Sequence, residues 1–356
     1  MAESGSNPRP PSPRSPQDAA AAQSSRLPHP SRGGRAALSL HPPTAGAPQA
    51  SALRRAQHFV RGSGRVLEQR RFAFHFLGGT AADADAVETA LMAYRNEDEG
   101  FGHGLEPGLR GAETRPQHVL HALRVLDGIH RCGGRRVERV GRCLTTLATA
   151  DGALPAPVGR PPMVRPRGDL LTTGPVVGLL HRNEVWHAWL FRATDFCWAA
   201  VDALYAPGPR EVEAAVAFLD GVPDRARAQA AADRLGRRVR EQRLAVLDPE
   251  RLEMWPVPRG VEPGEVRLPY QYAGWPGSVA RAWFTDEEMG RALDFLAGSQ
   301  QQDGGWPLTV RPSTGGRRPA GPQPGDGAAA VERWERRPLL TVEALRTLAA
   351  YGRPVD

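Results

Sequence analysis

The sequence predicts an all-α fold of stacked helix pairs, and three observations carry that reading. A turn signature recurs as DEGF at 98–101, DGALP at 151–155 and QDGGWP at 302–307, each time after an amphipathic stretch. The spacing is regular. Phe101 to Leu154 is 53 residues, Leu154 to Trp255 within MWP is 101, and Trp255 to Trp306 is 51. A period of about 50 residues means stacked supersecondary units. Finally, no run alternates with period two and enrichment in Val, Ile or Thr, so few strands are expected.

Taken in order, residues 1–50 are rich in Pro, Ser, Ala and Arg and poor in large apolar side chains. Such a segment cannot bury enough surface to fold, and it is expected to be a disordered tail. It lacks the continuous apolar core of a signal peptide. Residues 51–356 are expected to form one domain, because the repeat runs through most of them. Asp83 and Asp85 stand at a helix start, where acids favour the dipole. Val87, Leu91 and Tyr94 follow at helical spacing. Thr114 is placed to cap the next helix, and Pro116 suits its first turn. RPQHVLHALRVL at 115–126 matches RPLLTVEALRTL at 337–348 in Arg, Pro, Ala, Leu, Arg and Leu, so Pro338 is expected in a first turn as well. Val137, Val140, Leu144 and Leu147 form an apolar stripe, as do Met289, Leu293 and Leu296. The segment 266–284 is irregular and aromatic and is expected to cross one face of the fold. A Gly/Pro/Arg-rich stretch, 311–327, reads as a loop inserted in the last repeat.

Composition narrows the function. The formal net charge is +7, yet all 46 basic residues are Arg, with a single Ile (Ile129) and three Asn. Lys, Ile and Asn share A/T-rich codons, so the bias points to a GC-rich, bacterial genome and accounts for part of the charge. No basic stripe is interleaved with aromatics, so nucleic-acid binding is not expected. The missing Lys excludes a Schiff base, a Lys general base and a phosphate loop ending in Gly-Lys-Ser/Thr. No stretch of about 18 apolar residues exists, so no membrane span is expected. Cys132, Cys143 and Cys197 show no paired spacing and read as reduced thiols, hence a cytoplasmic location.

The turn motifs QQDGGWP at 301–307 and NEDEGFGHGLEP at 96–107, on a helix-pair repeat, resemble the prenyltransferase and squalene oxidase repeat. That family includes terpenoid cyclases and protein prenyltransferase β subunits. The resemblance covers about 55–352 and is nearest to uncharacterised actinobacterial members. It implies an α/α toroid of inner and outer helices, here of about five pairs and not necessarily closed. It also implies that loops leading into inner helices face the mouth of a central cavity.

The loop GFGHGLEPGLR at 100–110 therefore supplies the first candidates. His103 and Glu106 could act as base and acid, with Arg110 as an anion clamp. Arg115, His118 and His121 follow on the next helix, and its N-terminus favours an anionic group. Asp98 is the carboxylate nearest Glu106, the pair a glycan-hydrolysing toroid would need. In HRNEVWHAWLFRATDFCW at 181–198, Trp186 and Trp189 are candidates for binding an apolar chain or cation, with Phe191, Phe196 and Trp198 nearby. Arg281 and Trp283 are further candidates in the irregular segment.

Two chemistries of the resembling family are tested by residue. The cyclase acid reads Asp-x-Asp-Asp, whereas Asp83-Ala-Asp85-Ala lacks the final pair. The transferase zinc needs Asp-x-Cys and a distant His. Asp195 and Cys197 stand in TDFCW, but Leu340 occupies the position of the His. No metal and no cofactor is expected. Three functions stay open: an isoprenoid-handling catalyst with a central apolar cavity, a non-catalytic toroid binding a hydrophobic small molecule or a protein, and a glycan-acting enzyme. The sequence does not give the oligomeric state.

Overall fold

The computed structural model describes residues 51–156, 168–256, 265–308 and 326–355. The predicted tail, 1–50, and nearly all of the loop at 311–327 lie outside them. Among the described residues the fold is all-α, with no strand longer than an isolated bridge.

Twelve helices follow in order among these residues: α1 (Ala52–Ser63), α2 (Val66–Phe76), α3 (Ala81–Met92), α4 (Pro116–Gly128), α5 (Gly134–Leu147) and α6 (Leu170–Arg182). The second half comprises α7 (Ala188–Asp202), α8 (Pro209–Gly221), α9 (Arg225–Glu241), α10 (Pro269–Tyr272), α11 (Asp286–Gly298) and α12 (Asp326–Ala350). Even-numbered helices pack on one another toward the inside, α4 on α6, α6 on α8, α8 on α10 and α12 on α2. Odd-numbered helices pack against them, α1 and α3 on α2, α7 on α6, α9 on α8 and α11 on α12. Among the described residues this is an α/α toroid of six pairs, where about five were expected, and its two ends meet. Helix α12 packs on α1 and α2, and the Leu53 N–H donates to the Val355 carbonyl at 2.9 Å.

The predicted turns share one geometry. The N–H groups of Asn96, Thr149 and Gln301 donate to the carbonyls of Gly100, Ala153 and Gly305 at 3.0, 2.8 and 2.9 Å. Asp98, Asp151 and Asp303 each accept the N–H two residues on. Between them stand Glu99, Gly152 and Gly304 with φ of 70°, 86° and 90°. Phe101, Leu154 and Trp306 are then driven into the core. Gly304 is confined twice over, since a Cβ there would also lie 2.2 Å from the Arg55 carbonyl oxygen. That contact seats the last turn on α1, where the Gln300 amide also donates to the Ala52 carbonyl.

Three expectations change. Trp255 is not a fourth copy: MWP lacks the acid–glycine pair, and Trp255 follows a short 3-10 segment, its indole N–H donating to the Arg243 carbonyl at 3.2 Å. Thr114 does not cap α4. The N-cap is Arg115, and the Thr114 hydroxyl donates instead to Asp98. Pro116 does open α4, but Pro338 lies inside α12, which begins upstream of the repeat unit. Asp83 completes a capping box with Thr80, as an acid at a helix start should.

Candidate functional site

The loop between α3 and α4 divides the predicted residues. Glu106 is drawn into the ring: its N–H donates to His118 Nδ1 at 2.9 Å, and its Oε2 meets His121 Nδ1 at 2.9 Å. Arg336 of α12 lies 3.4 Å from its other oxygen. Asp98 is exposed and held by its own turn. His103 is exposed at a φ of 54°. Arg110 turns away to Glu335 at 2.8 Å, and Arg115 pairs loosely with Glu113 at 3.6 Å. The structure therefore brings Glu106 and His118 together and adds His121 and Arg336. It leaves His103, Asp98, Arg110 and Arg115 outside that cluster.

Charge and hydrogen bonding assign the protons. Burial works against the Glu106 carboxylate, but the hydrogen bond with His121 and the charges of Arg336 and Arg124 outweigh it and lower its pKa. Burial also lowers the pKa of His121, against the pull of Glu106. The pair is thus a carboxylate and a neutral imidazole. A carboxylate only accepts, so His121 Nδ1 carries the proton and its Nε2 is a bare acceptor. His118 accepts at Nδ1, so its Nε2–H is a donor. Neither Nε2 has a hydrogen-bond partner among the described residues.

This cluster is the upper end of a polar column on α2, α4 and α12. Arg65 pairs with buried Glu68 and donates to the Gly104 and Leu105 carbonyls. Buried Arg71 pairs with Glu343, which Arg346 also reaches at 3.1 Å. At the lower end, His75 and Arg346 meet bare Gly128 of α4. Along this column the residues of the three helices follow one another in the same chain order, so α2, α4 and α12 run parallel. Glu343 keeps 44% of its side chain exposed.

A second site lies at the opposite end, where α6 and α8 terminate. A pocket of about 770 Å³ is lined by His181, Glu184, Trp186, Phe191, Asp220 and Trp275, among others. Trp186, Phe191 and Trp275 are 79%, 64% and 42% exposed, although all three are large and apolar. Helices α6 and α8 approach closely here, because Gly178 and Gly221 have no Cβ: one added at Gly221 would lie 1.9 Å from the Gly178 carbonyl oxygen. Asp220 fixes a wall by accepting from the Val279 N–H at 2.8 Å and the Ser278 hydroxyl at 2.9 Å. Burial nonetheless raises its pKa. The wall carries Trp275 and Gly277, so the irregular aromatic segment does bound a cavity, at this end of the ring.

The remaining candidates have structural positions. Trp189 is buried in the core of the α6–α7 pair, apart from exposed Trp186. Arg281 donates to the Phe284 carbonyl at 2.7 Å and pairs with Asp286, tying a 3-10 turn to the start of α11. Trp283 is buried. Asp195 is exposed, whereas Cys197 is buried, and burial raises its thiol pKa. Among the described residues no three His, Cys, Asp or Glu side chains gather as metal ligands would, and no helix is long and apolar enough to cross a membrane.

No family model matches the chain. No curated protein matches it either. A crystal structure of a protein from Actinoplanes is similar, with a TM-score of 0.50 and 15% identity over 85% of this chain and 98% of its own. At that identity the likeness concerns the fold alone.

Proposed function

We propose that the protein is a binding toroid that takes a hydrophobic small molecule in the pocket at the ends of α6 and α8. The observation that carries this reading is the trio Trp186, Phe191 and Trp275, left exposed around a concavity of about 770 Å³. Ligand pockets are typically about 300–1,000 Å³ and mostly apolar with a few fixed polar groups. Large apolar side chains exposed together on one surface mark interaction sites. An isoprenoid chain belongs to the ligand class, and the resemblance to the prenyltransferase and squalene oxidase repeat supports it. The buried ion pairs of α2, α4 and α12 speak against an apolar cavity on that side of the ring.

Isothermal titration calorimetry with farnesol, a neutral isoprenoid alcohol, tests the reading. Saturable binding is expected, weakened about tenfold or more in Trp186→Ala and Phe191→Ala. Thermal stability should be unchanged, since both side chains are exposed. Binding that ignores both substitutions would place the ligand elsewhere.

A second reading has one observation of its own. His118 and His121 each keep a buried Nε2 without a partner, one a donor and the other an acceptor backed by Glu106, a pair that could take a proton from a hydroxyl. Treatment with diethyl pyrocarbonate checks access. Modification of His118 and His121 alongside exposed His103 favours proton transfer there; full protection in the folded chain argues against it.

A further inference from the structure

We infer that the ligand of this pocket is an amphiphile with an anionic head, and that the head is held by Arg135, Arg139 and Arg142 of α5. The inference rests on the pocket reading above and extends it. A smaller pocket of about 420 Å³ is lined by these three arginines, Glu138, Trp186 and His187. Trp186 and His187 line the larger pocket too, so the two are contiguous. One is walled by exposed aromatics and the other by guanidinium groups.

The helix geometry explains the stripe. Positions 135, 139 and 142 fall on one face at spacings of four and three, opposite buried Val137, Val140 and Leu144. All three arginines are exposed, against one acid, Glu138. Arg135 and Arg142 have no ion-pair partner among the described residues, and Arg139 has only Glu99 at 3.8 Å. Guanidinium groups favour phosphate and carboxylate oxygens through paired N–H donors.

His187 completes the junction. Its Nδ1 accepts the Trp189 N–H at 3.2 Å, capping α7, so its Nε2 carries the proton and is a donor. The ring rests against α5 at Gly141, where an added Cβ would stand 2.6 Å from the imidazole. Missing that Cβ, the aromatic turn and the basic stripe come together. An apolar chain in the larger pocket would leave its head beside a surface that is net cationic and able to donate.

Calorimetry with three probes of equal chain length, at monomeric concentrations, tests the head: dodecyl phosphate, dodecyltrimethylammonium and dodecyl maltoside. Dodecyl phosphate should bind about tenfold more tightly than the other two, the effect of one charge-assisted contact. The Arg135→Gln/Arg142→Gln double variant should lose that preference and keep its affinity for the maltoside. Because both side chains are exposed, the fold should survive. Equal affinity for all three heads overturns the anionic head and leaves the hydrophobic pocket standing. If no probe binds, the pocket reading itself fails. Pyrophosphate alone binding as tightly as dodecyl phosphate would make this a phosphate site without a chain. Binding only to vesicles of phosphatidylcholine and phosphatidylglycerol would make it a membrane-docking face. Either result overturns the proposal.

Discussion

Glu106 accepts from His121, forms an ion pair with Arg336 and, through its backbone N–H, donates to His118. A side chain so placed holds the α3–α4 loop to the inner helices. Glu106→Ala should therefore destabilise by about 1–3 kcal/mol, the cost of leaving buried polar partners unmatched. Urea denaturation measures it. A loss within a few tenths of a kcal/mol would mean that the loop is held by its backbone alone. Glu106→Gln keeps an acceptor for the imidazole N–H and should recover part of the loss. From the sequence, Glu106 stood out because it follows a Gly-rich turn, but nothing there distinguished it from His103, three residues away. The difference is tertiary: Glu106 faces α4 and α12, and His103 faces solvent.

The acid–glycine turns join α3 to α4, α5 to α6 and α11 to α12, and in the last two the inner helix adds a lock. Thr341 Oγ accepts the buried Trp306 N–H at 3.0 Å, and Thr173 Oγ accepts the Leu154 N–H at 2.9 Å. Both hydroxyls also donate one helical turn back, to Arg337 and Asp169. Thr341 and Thr173 occupy equivalent places in the repeat, and Val119 occupies the same place in α4. Thr341→Val preserves shape and removes the acceptor. It should cost about 1–3 kcal/mol in thermal or chemical melts, since a buried N–H is left unpaired. An unchanged melt would show that the Trp306 N–H has another acceptor. The turns were legible in the sequence because Asp, Gly and an aromatic or Leu recur at fixed offsets. Their hydroxyl locks were not, because the Thr lies 19 residues after Leu154 in one copy and 35 after Trp306 in the other.

Across the whole ring, burial and charge tie stability to pH. Burial, with Arg346 and Arg71, lowers the His75 pKa from 6.5 to about 3. Burial lowers His118 and His121 as well. Below pH 6.5 the unfolded chain takes up protons that these folded imidazoles refuse. Stability must then fall with pH, down to about pH 3 for His75. Glu343 adds to the loss. Its burial acts upward, but Arg71 and Arg346 outweigh it and lower its pKa to about 2, so its contribution fades between pH 4.5 and about 2. The melting temperature should therefore be level between about pH 7 and 8 and decline below 6.5. His75→Gln should flatten the upper part of that decline. A melting temperature constant from pH 7 to pH 4 would contradict the buried column of α2, α4 and α12.

The all-α class, the helix-pair repeat and the three turns are legible in the chain alone, because these depend on residues within a few positions of one another. Helical spacing of Val137, Val140 and Leu144 suffices to predict the buried face of α5, and the same spacing hides a second message on its other face. Arg135, Arg139 and Arg142 make a visible stripe, but only as surface charge. Tertiary structure decided what that stripe adjoins, since Trp186 and His187 reach it from another turn, more than 40 residues along the chain. It also decided that the ring closes, because α12 must find α1 and α2 across the length of the domain. Local sequence sets which face of each helix is apolar; only the closed ring sets which faces meet.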